Sequence, residues 1–254
     1  MAEPLLEARR LVKIFGRVNA LRGASFTVYP GEVVALIGDN GAGKSVMVKC
    51  LSGVYHPDGG EIFYEGRPIK IESPIAAMRR GIETVYQDLA LADDLEASAN
   101  MFLGREVVMN GPLGWLGVLD RRKMRDDSTA AFRELGAALQ DSRVPIASLS
   151  GGQRQSVAVA RSVVWASKVI LLDEPTAALG VVQRENVQKV IRRVRDRGVA
   201  VVYISHNMPE VLEVADRIEV LRLGVRVARF QAKDTTLEQL VAAMTGALKQ
   251  EDAA

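Results

Sequence analysis

The sequence holds a single cysteine, Cys50, among 254 residues. No internal disulfide can form, which excludes a disulfide scaffold and makes a reducing compartment the simpler expectation. The neighbours of Cys50, namely Met47, Val48 and Leu51, put it on a predicted buried helix face, where a free thiol acts as a small packing group. Long apolar runs are missing as well. A stretch such as Val199 to Ile204 falls far short of the ~20 residues a membrane helix needs. Met1 to Arg10 contains acids and no apolar core, so no signal peptide is read there. Charge of one sign is also lacking: Lys plus Arg total 33 against 31 for Asp plus Glu. That balance provides no strong field toward nucleic acid or an acidic membrane. Tandem repeats, low-complexity tracts and sustained heptads are absent too, which removes solenoids and long coiled coils. The expectation is a soluble, cytoplasmic chain that serves a membrane, if at all, by docking on other subunits.

What is present is apolar residue in quantity, 48% of the chain, enough to bury a sizeable core. Short β-branched runs alternate with longer helical patterns, the mark of an α/β sheet. Val33 to Ile37, Val169 to Leu172 and Val199 to Ile204 read as buried strands. Each ends in polar residues, where open α/β sheets place their ligands. Leu5 to Leu11, Ala24 to Tyr29 and Glu61 to Tyr64, with turns at Pro30-Gly31 and Glu65-Gly66, read as an antiparallel portion. From about Leu89 to Trp165 helix signals dominate. Asp120 can cap a helix from Arg121 to about Leu139, with Met124, Ala131, Leu135 and Leu139 near one face. Leu237 to Leu248 reads as one more amphipathic helix. The expected organisation is one domain, 5–250. Its sheet parts span 1–88 and 166–230, an inserted helical lobe spans 89–165, and a C-terminal helix and tail span 231–254.

Gly38-Asp39-Asn40-Gly41-Ala42-Gly43-Lys44-Ser45 follows a strand and opens a helix, the context a phosphate loop requires. Its glycines let successive backbone N–H groups turn toward phosphate oxygens, and the helix end adds its positive dipole. Lys44 can reach β- and γ-phosphates, and the Ser45 hydroxyl can ligate magnesium. The strand Val169 to Leu172 runs straight into Asp173 and Glu174. Ionised acids are rarely set against a core without a partner. A metal explains the pair: Asp173 holds magnesium, and Glu174 acts as general base toward a water attacking the γ-phosphate. Gln87 sits where sheet gives way to helix, placed to ligate magnesium or orient water and to carry movement between lobes. His206 ends a strand, where an imidazole can bond the γ-phosphate and position Glu174 and the water. Leu149-Ser150-Gly151-Gly152-Gln153 opens another helix. Ser150 is a natural cap, and the paired glycines expose N–H groups at the dipole's positive end, a second anion-binding surface.

Taken in order, these motifs resemble the nucleotide-binding subunit of ATP-binding cassette (ABC) transporters across essentially the whole chain. The resemblance implies a P-loop NTPase fold with a mixed core sheet, an antiparallel β-subdomain and an inserted α-helical subdomain. It implies ATP and Mg2+ as ligands. It also implies a head-to-tail homodimer formed on ATP binding, in which Ser150, Gly151, Gly152 and Gln153 of one copy meet the nucleotide on the phosphate loop of the other. Phe15, in Ile14-Phe15-Gly16, matches the aromatic that stacks on adenine. One departure stands out: the family's Ala-Leu-Asp loop reads Ala178-Leu179-Gly180 here, which puts communication between paired sites in question.

Within the family, Phe102-Leu103-Gly104-Arg105-Glu106, Leu119 to Met124 and Ile204 to Pro209 look like ribose- and xylose-type monosaccharide importers. The single cassette with Thr176 to Val181 looks most like the fructose-type subunit. That resemblance implies transmembrane permease subunits, a sugar-binding protein outside the cell, and a peripheral position on the inner face of the membrane. No nucleic-acid partner is implied. The rival readings are a non-transport ATPase of the same superfamily and a weakly hydrolysing regulatory nucleotide-binding module. A guanine-specific reader is excluded, because no asparagine is followed by lysine.

Overall fold

Alternating apolar residues draw the start of the chain into a long hairpin. Strand β1 (Leu6–Phe15) pairs antiparallel with β2 (Val18–Val28). The structure, a computed structural model, describes residues 3–134, 139, 141–177 and 179–248. After the hairpin come β3 (Val33–Ile37), whose five residues are all buried, and helix α1 (Lys44–Leu51). Strands β4 (Gly59–Tyr64) and β5 (Arg67–Ile69) complete a four-stranded sheet of order β2-β1-β4-β5, the predicted antiparallel portion.

Helix α2 (Pro74–Arg79) is capped by Ser73, whose hydroxyl accepts the Ala76 N–H at 3.2 Å, and it leads into β6 (Ile82–Val85). Strands β7 (Val169–Asp173), β8 (Ala200–Ile204), β9 (Arg217–Arg222) and β10 (Val225–Gln231) join β3 and β6 in a six-stranded sheet of order β10-β9-β3-β8-β7-β6. Parallel pairing of β3 with β8 and β9, and of β7 with β8, beside an antiparallel β9–β10 edge makes the sheet mixed, as expected. Leu6, Leu11 and Phe26 of the four-stranded sheet share one apolar core with Leu36, Met47, Leu51 and Leu171, and Cys50 is buried with them.

The helical lobe contains α3 (Ala97–Met101), α4 (Pro112–Trp115), α5 (Arg121–Glu134) and α6 (Gly151–Trp165). It has its own apolar core of Met101, Phe102, Met124, Phe132, Ile146, Leu149 and Val157. Asp120 caps α5 as predicted, its Oδ1 accepting the Lys123 N–H at 2.9 Å. The helix is shorter than the pattern implied. Its described part reaches Glu134, Leu139 is not helical, and the predicted core position Leu135 lies outside the described residues.

Three elements follow: α7 (Val181–Asp196), α8 (Met208–Val214) and the tail helix α9 (Leu237–Thr245). Thr236 and Gln239 cap the start of α9 reciprocally. Gly246, with φ 86°, stops it three residues before the predicted end at Leu248, because a left-handed residue breaks the helical bonding pattern. By contacts the chain forms two compact units. One comprises the residues up to Thr84, Ala166–Glu174 and everything from Ile191; the other comprises Val85–Trp165 and Pro175–Val190. Among the described residues no helix is long and apolar enough to cross a membrane.

One buried ionic cluster bears on stability. Glu219, in mid-β9, is fully buried and faces Arg217, Arg226 and Arg229. Arg217 also reaches Glu32 at 2.6 Å and donates to the Thr27 carbonyl at 2.7 Å, so the cluster ties β2 to β9. Charges inside a sheet persist only when each is answered in this way.

Candidate nucleotide site

Strands β3, β8 and β7 are parallel neighbours, so their C-terminal ends share one edge of the sheet. That edge carries three of the predicted motifs: Gly38 to Ser45 after β3, Asp173-Glu174 at the end of β7, and His206 after β8.

Two glycines of the loop are fixed by close approach. A Cβ on Gly38 would lie 2.2 Å from the Leu221 carbonyl oxygen, and one on Gly43 would lie 2.7 Å from that of Ala20. The loop is therefore pressed against β9 and β2, at φ values of 153° and 103° that side chains disfavour. Gly43 is also the N-cap of α1, and no side chain caps that helix end, the condition in which a helix N-terminus is open to an anion. Lys44 Nζ donates to the carbonyls of Gly38 at 2.8 Å and Asp39 at 3.0 Å. Burial lowers the pKa of this ammonium, opposed by Glu174, Asp173 and Asp39.

Asp173 is 2% exposed and its Oδ1 has no hydrogen-bond partner. Burial raises its carboxyl above the ordinary range, while a hydrogen bond from Ser45 and the charge of Lys44 work against that rise. An orphaned, buried carboxylate oxygen beside a hydroxyl suits a small divalent cation that takes its remaining ligands from phosphate and water. No cluster of three or more His, Cys, Asp or Glu able to hold a metal occurs among the described residues. The protein's share of such an ion is therefore small. The next residue, Glu174, is left-handed at φ 53°, with its N–H bonded to the Ile204 carbonyl at 3.0 Å. This backbone costs a non-glycine residue about 1 kcal/mol and turns the side chain away from its neighbour's direction. Glu174 Oε1 then lies 3.4 Å from Nδ1 of His206, whose side chain is 71% exposed.

Strand β1 runs four residues past its predicted end at Leu11, as far as Phe15, which is 40% exposed. The Tyr55 ring meets it edge-on, with centroids 5.1 Å apart, and Lys13 Nζ stands 5.5 Å from its centroid. Asp58 organises this corner by accepting the Ile14 N–H at 2.7 Å and Lys13 Nζ at 3.0 Å. Those two bonds hold its carboxyl below the ordinary range, the backbone one contributing most. Sequence reasoning missed Tyr55 and Asp58: about forty residues separate them from Phe15, and nothing in the local pattern links them. The wide cleft of about 540 Å3 bordered by His56, Ile62, Pro68 and Glu72 contains none of the motif residues.

Gln87 and the Ser150 to Gln153 segment belong to the other compact unit. Gln87 is exposed, just past β6. Ser150 caps α6 as predicted: its Oγ accepts the Gln153 N–H at 3.3 Å, and Gln153 Oε1 accepts the Ser150 N–H at 2.9 Å. Gly180 precedes α7, where an added Cβ would fall 2.8 Å from Gln183 Oε1. Its carbonyl accepts the Arg184 N–H at 3.0 Å.

Comparison with known proteins matches residues 21–177, more than half the chain, to the family model described as ABC transporter. The chain is 53% identical to the fructose import ATP-binding protein FrcA of Rhizobium meliloti, over 96% of this chain and 95% of that one. It is 44% identical to the xylose/arabinose import ATP-binding protein XylG of Sulfolobus acidocaldarius, over 95% and 94%. Against the ribose import ATP-binding protein RbsA 2 of Burkholderia pseudomallei it is 41% identical, but spans only 47% of that protein's length. Among solved structures, a dimeric post-hydrolysis ATP-binding cassette bound to ADP and Pi superposes with a TM-score of 0.77 at 22% identity, over 91% of this chain and all of the other. A likeness at that identity speaks for the fold.

Proposed function

This chain belongs to the ABC transporter family, and from that premise we propose that it is the ATP-hydrolysing subunit of a monosaccharide importer of the fructose, xylose and ribose group. The observation that carries the reading is the convergence on one sheet edge of the phosphate loop, the partnerless oxygen of Asp173, and Glu174 within 3.4 Å of His206. The importer branch rests on the 53% and 44% identities over nearly the whole chain.

The chemistry follows from the residues. Backbone N–H groups of the loop and the first turn of α1 hold the β- and γ-phosphates, and Lys44 exchanges its two loop carbonyls for phosphate oxygens. The adenine stacks on Phe15. Ser45 and Asp173, with Gln87, would hold magnesium, which when bound neutralises charge on the phosphate oxygens. Glu174 takes a proton from water as the water oxygen bonds the γ-phosphorus and the bond to the β,γ-bridging oxygen breaks, giving ADP and phosphate. His206 orients Glu174 and contacts the γ-phosphate. Ser150, Gly151, Gly152 and Gln153 of a second copy close over the same γ-phosphate, so the site is shared between two chains. Transmembrane permease subunits convert that closure into transport of a sugar handed over by a binding protein. The chain sits at the inner face of the membrane through those partners.

Glu174→Gln tests the chemistry. ATP binding should persist, hydrolysis should fall at least about a hundredfold, and an ATP-bound dimer should accumulate on size exclusion. Wild-type turnover in that variant would overturn the assignment. Uptake of labelled fructose, xylose and ribose in cells lacking only this subunit tests the branch, and unchanged uptake of all three would reject it.

A further inference from the structure

The turn that follows Gln87 is held in an unusual way. Leu89 and Ala90 are both left-handed, at φ 60° and 46°. Two consecutive residues in that region, neither of them glycine, make a strained pair that persists only where the surroundings impose it. Local bonds account for part of the turn: the Leu89 N–H donates to the Tyr86 carbonyl at 2.9 Å and the Ala90 N–H to that of Asp88 at 2.8 Å. The carbonyls of the strained pair are taken by one side chain. Arg161 donates through Nη1 to the Ala90 carbonyl at 2.9 Å and through Nη2 to the Leu89 carbonyl at 3.2 Å. A planar, charged fork suits two adjacent carbonyls in a way that a single ammonium cannot.

Arg161 lies on α6, the helix that begins at Gly151 directly after Ser150. At about 1.5 Å per residue the two positions are about 15 Å apart on one rigid rod. Further down, the rod is pinned by Trp165, whose indole N–H donates to Met101 O at 2.8 Å while the Arg105 guanidinium stands over its ring at 5.0 Å. Near its start, Arg154 donates to the carbonyls of Leu149 at 3.1 Å and Ala147 at 3.0 Å. All these residues belong to the same compact unit.

We infer that Arg161 is a positioning residue that locks the strained turn after Gln87 to the helix bearing Ser150 to Gln153, so that Gln87 and that helix end move as one piece. The inference rests on the roles proposed above for Gln87 and for the α6 N-terminus. Arg161 touches neither nucleotide nor water in this scheme; it sets where Gln87 stands when the second copy engages.

The test uses the full chain with Arg161→Ala, Arg161→Lys, Gln87→Ala, and Arg161→Ala combined with Leu89→Gly and Ala90→Gly. ATPase kinetics and hydrogen exchange of the 86–90 amides are the readouts. Arg161→Ala should lower kcat at least tenfold with KM for ATP within twofold, and speed exchange at Leu89 and Ala90 at least tenfold. Lysine should give an intermediate kcat. Glycines at 89 and 90 remove the steric reason for the clamp and should recover at least a third of the wild-type kcat in the alanine background. A purely structural role predicts a lower melting temperature, unchanged kcat per folded molecule and no rescue by glycine. That pattern, or unchanged exchange at 89–90 in Arg161→Ala, overturns the inference. If Gln87→Ala keeps full kcat, the role given to Gln87 fails by itself, and the exchange data alone then decide whether the clamp exists.

Discussion

Replacing Gly38 with alanine tests the idea that the phosphate loop is pressed against a neighbouring strand, and a control sits further along the same loop. The new Cβ would lie 2.2 Å from the Leu221 carbonyl oxygen and 3.0 Å from the Ala42 Cβ. Relieving that contact requires β9 or the loop to move by about 1 Å, an overpacking cost of about 1–3 kcal/mol. The backbone angle of 153° belongs to a region reserved for glycine, adding about 1–3 kcal/mol. The total is about 2–6 kcal/mol. Gly41, at φ 78°, has open space within 4 Å of where a Cβ would stand, so Gly41→Ala carries only a backbone cost of about 1–2 kcal/mol. Urea unfolding followed by far-UV circular dichroism measures both. With a slope of about 3 kcal/mol per molar, Gly38→Ala should lower the midpoint by roughly 0.7–2 M and Gly41→Ala by roughly half a molar. Equal shifts, or a Gly38→Ala midpoint within about 0.3 M of wild type, would refute the close-approach argument.

Three further outcomes are expected. Asp173→Asn should raise stability at neutral pH while abolishing magnesium-dependent hydrolysis. Burial raises this carboxyl, so its contribution favours folding when protonated and is lost as pH rises from its ordinary pKa through the raised folded value; the asparagine variant should lack that decline, and a less stable variant would contradict it. Phe15→Ala should weaken ATP binding about 5- to 160-fold, the range of base–aromatic stacking, and Asp58→Asn should weaken it less by loosening the same corner. Calorimetric affinities equal to wild type in both would remove the stacking role. Glu219→Ala leaves Arg217, Arg226 and Arg229 around an empty centre and should cost about 3–5 kcal/mol in unfolding free energy, with ATP affinity unchanged; a neutral result would mean the arginines escape to water.

Much of the fold was legible because the site strands are plain. Val33 to Ile37 and Val169 to Leu172 are continuous apolar runs, and buried parallel strands are the usual source of that pattern. Their polar ends located Lys44, Ser45, Asp173 and Glu174 from the sequence alone. Strand β9 was not legible, because Arg217 and Glu219 interrupt it, and besides each other the groups that answer them are Glu32, ahead of β3, and Arg226 and Arg229 on β10. Helix α7 was passed over although Val187, Val190, Ile191 and Val194 are buried at helical spacing, a pattern that a systematic count would have found. Arg161 and Asp58 could not be found from sequence: each acts on backbone groups more than about forty residues away. Backbone carbonyls and amides leave no mark in a sequence.

The isolation of Cys50 has a practical consequence. Its thiol is buried, with a pKa pushed up by burial to about 11, so only about one molecule in ten thousand carries the thiolate at pH 7. Maleimides and oxidants will pass it by. A cysteine introduced at an exposed position such as Ser150 can therefore be labelled or spin-probed without background and with no preliminary replacement.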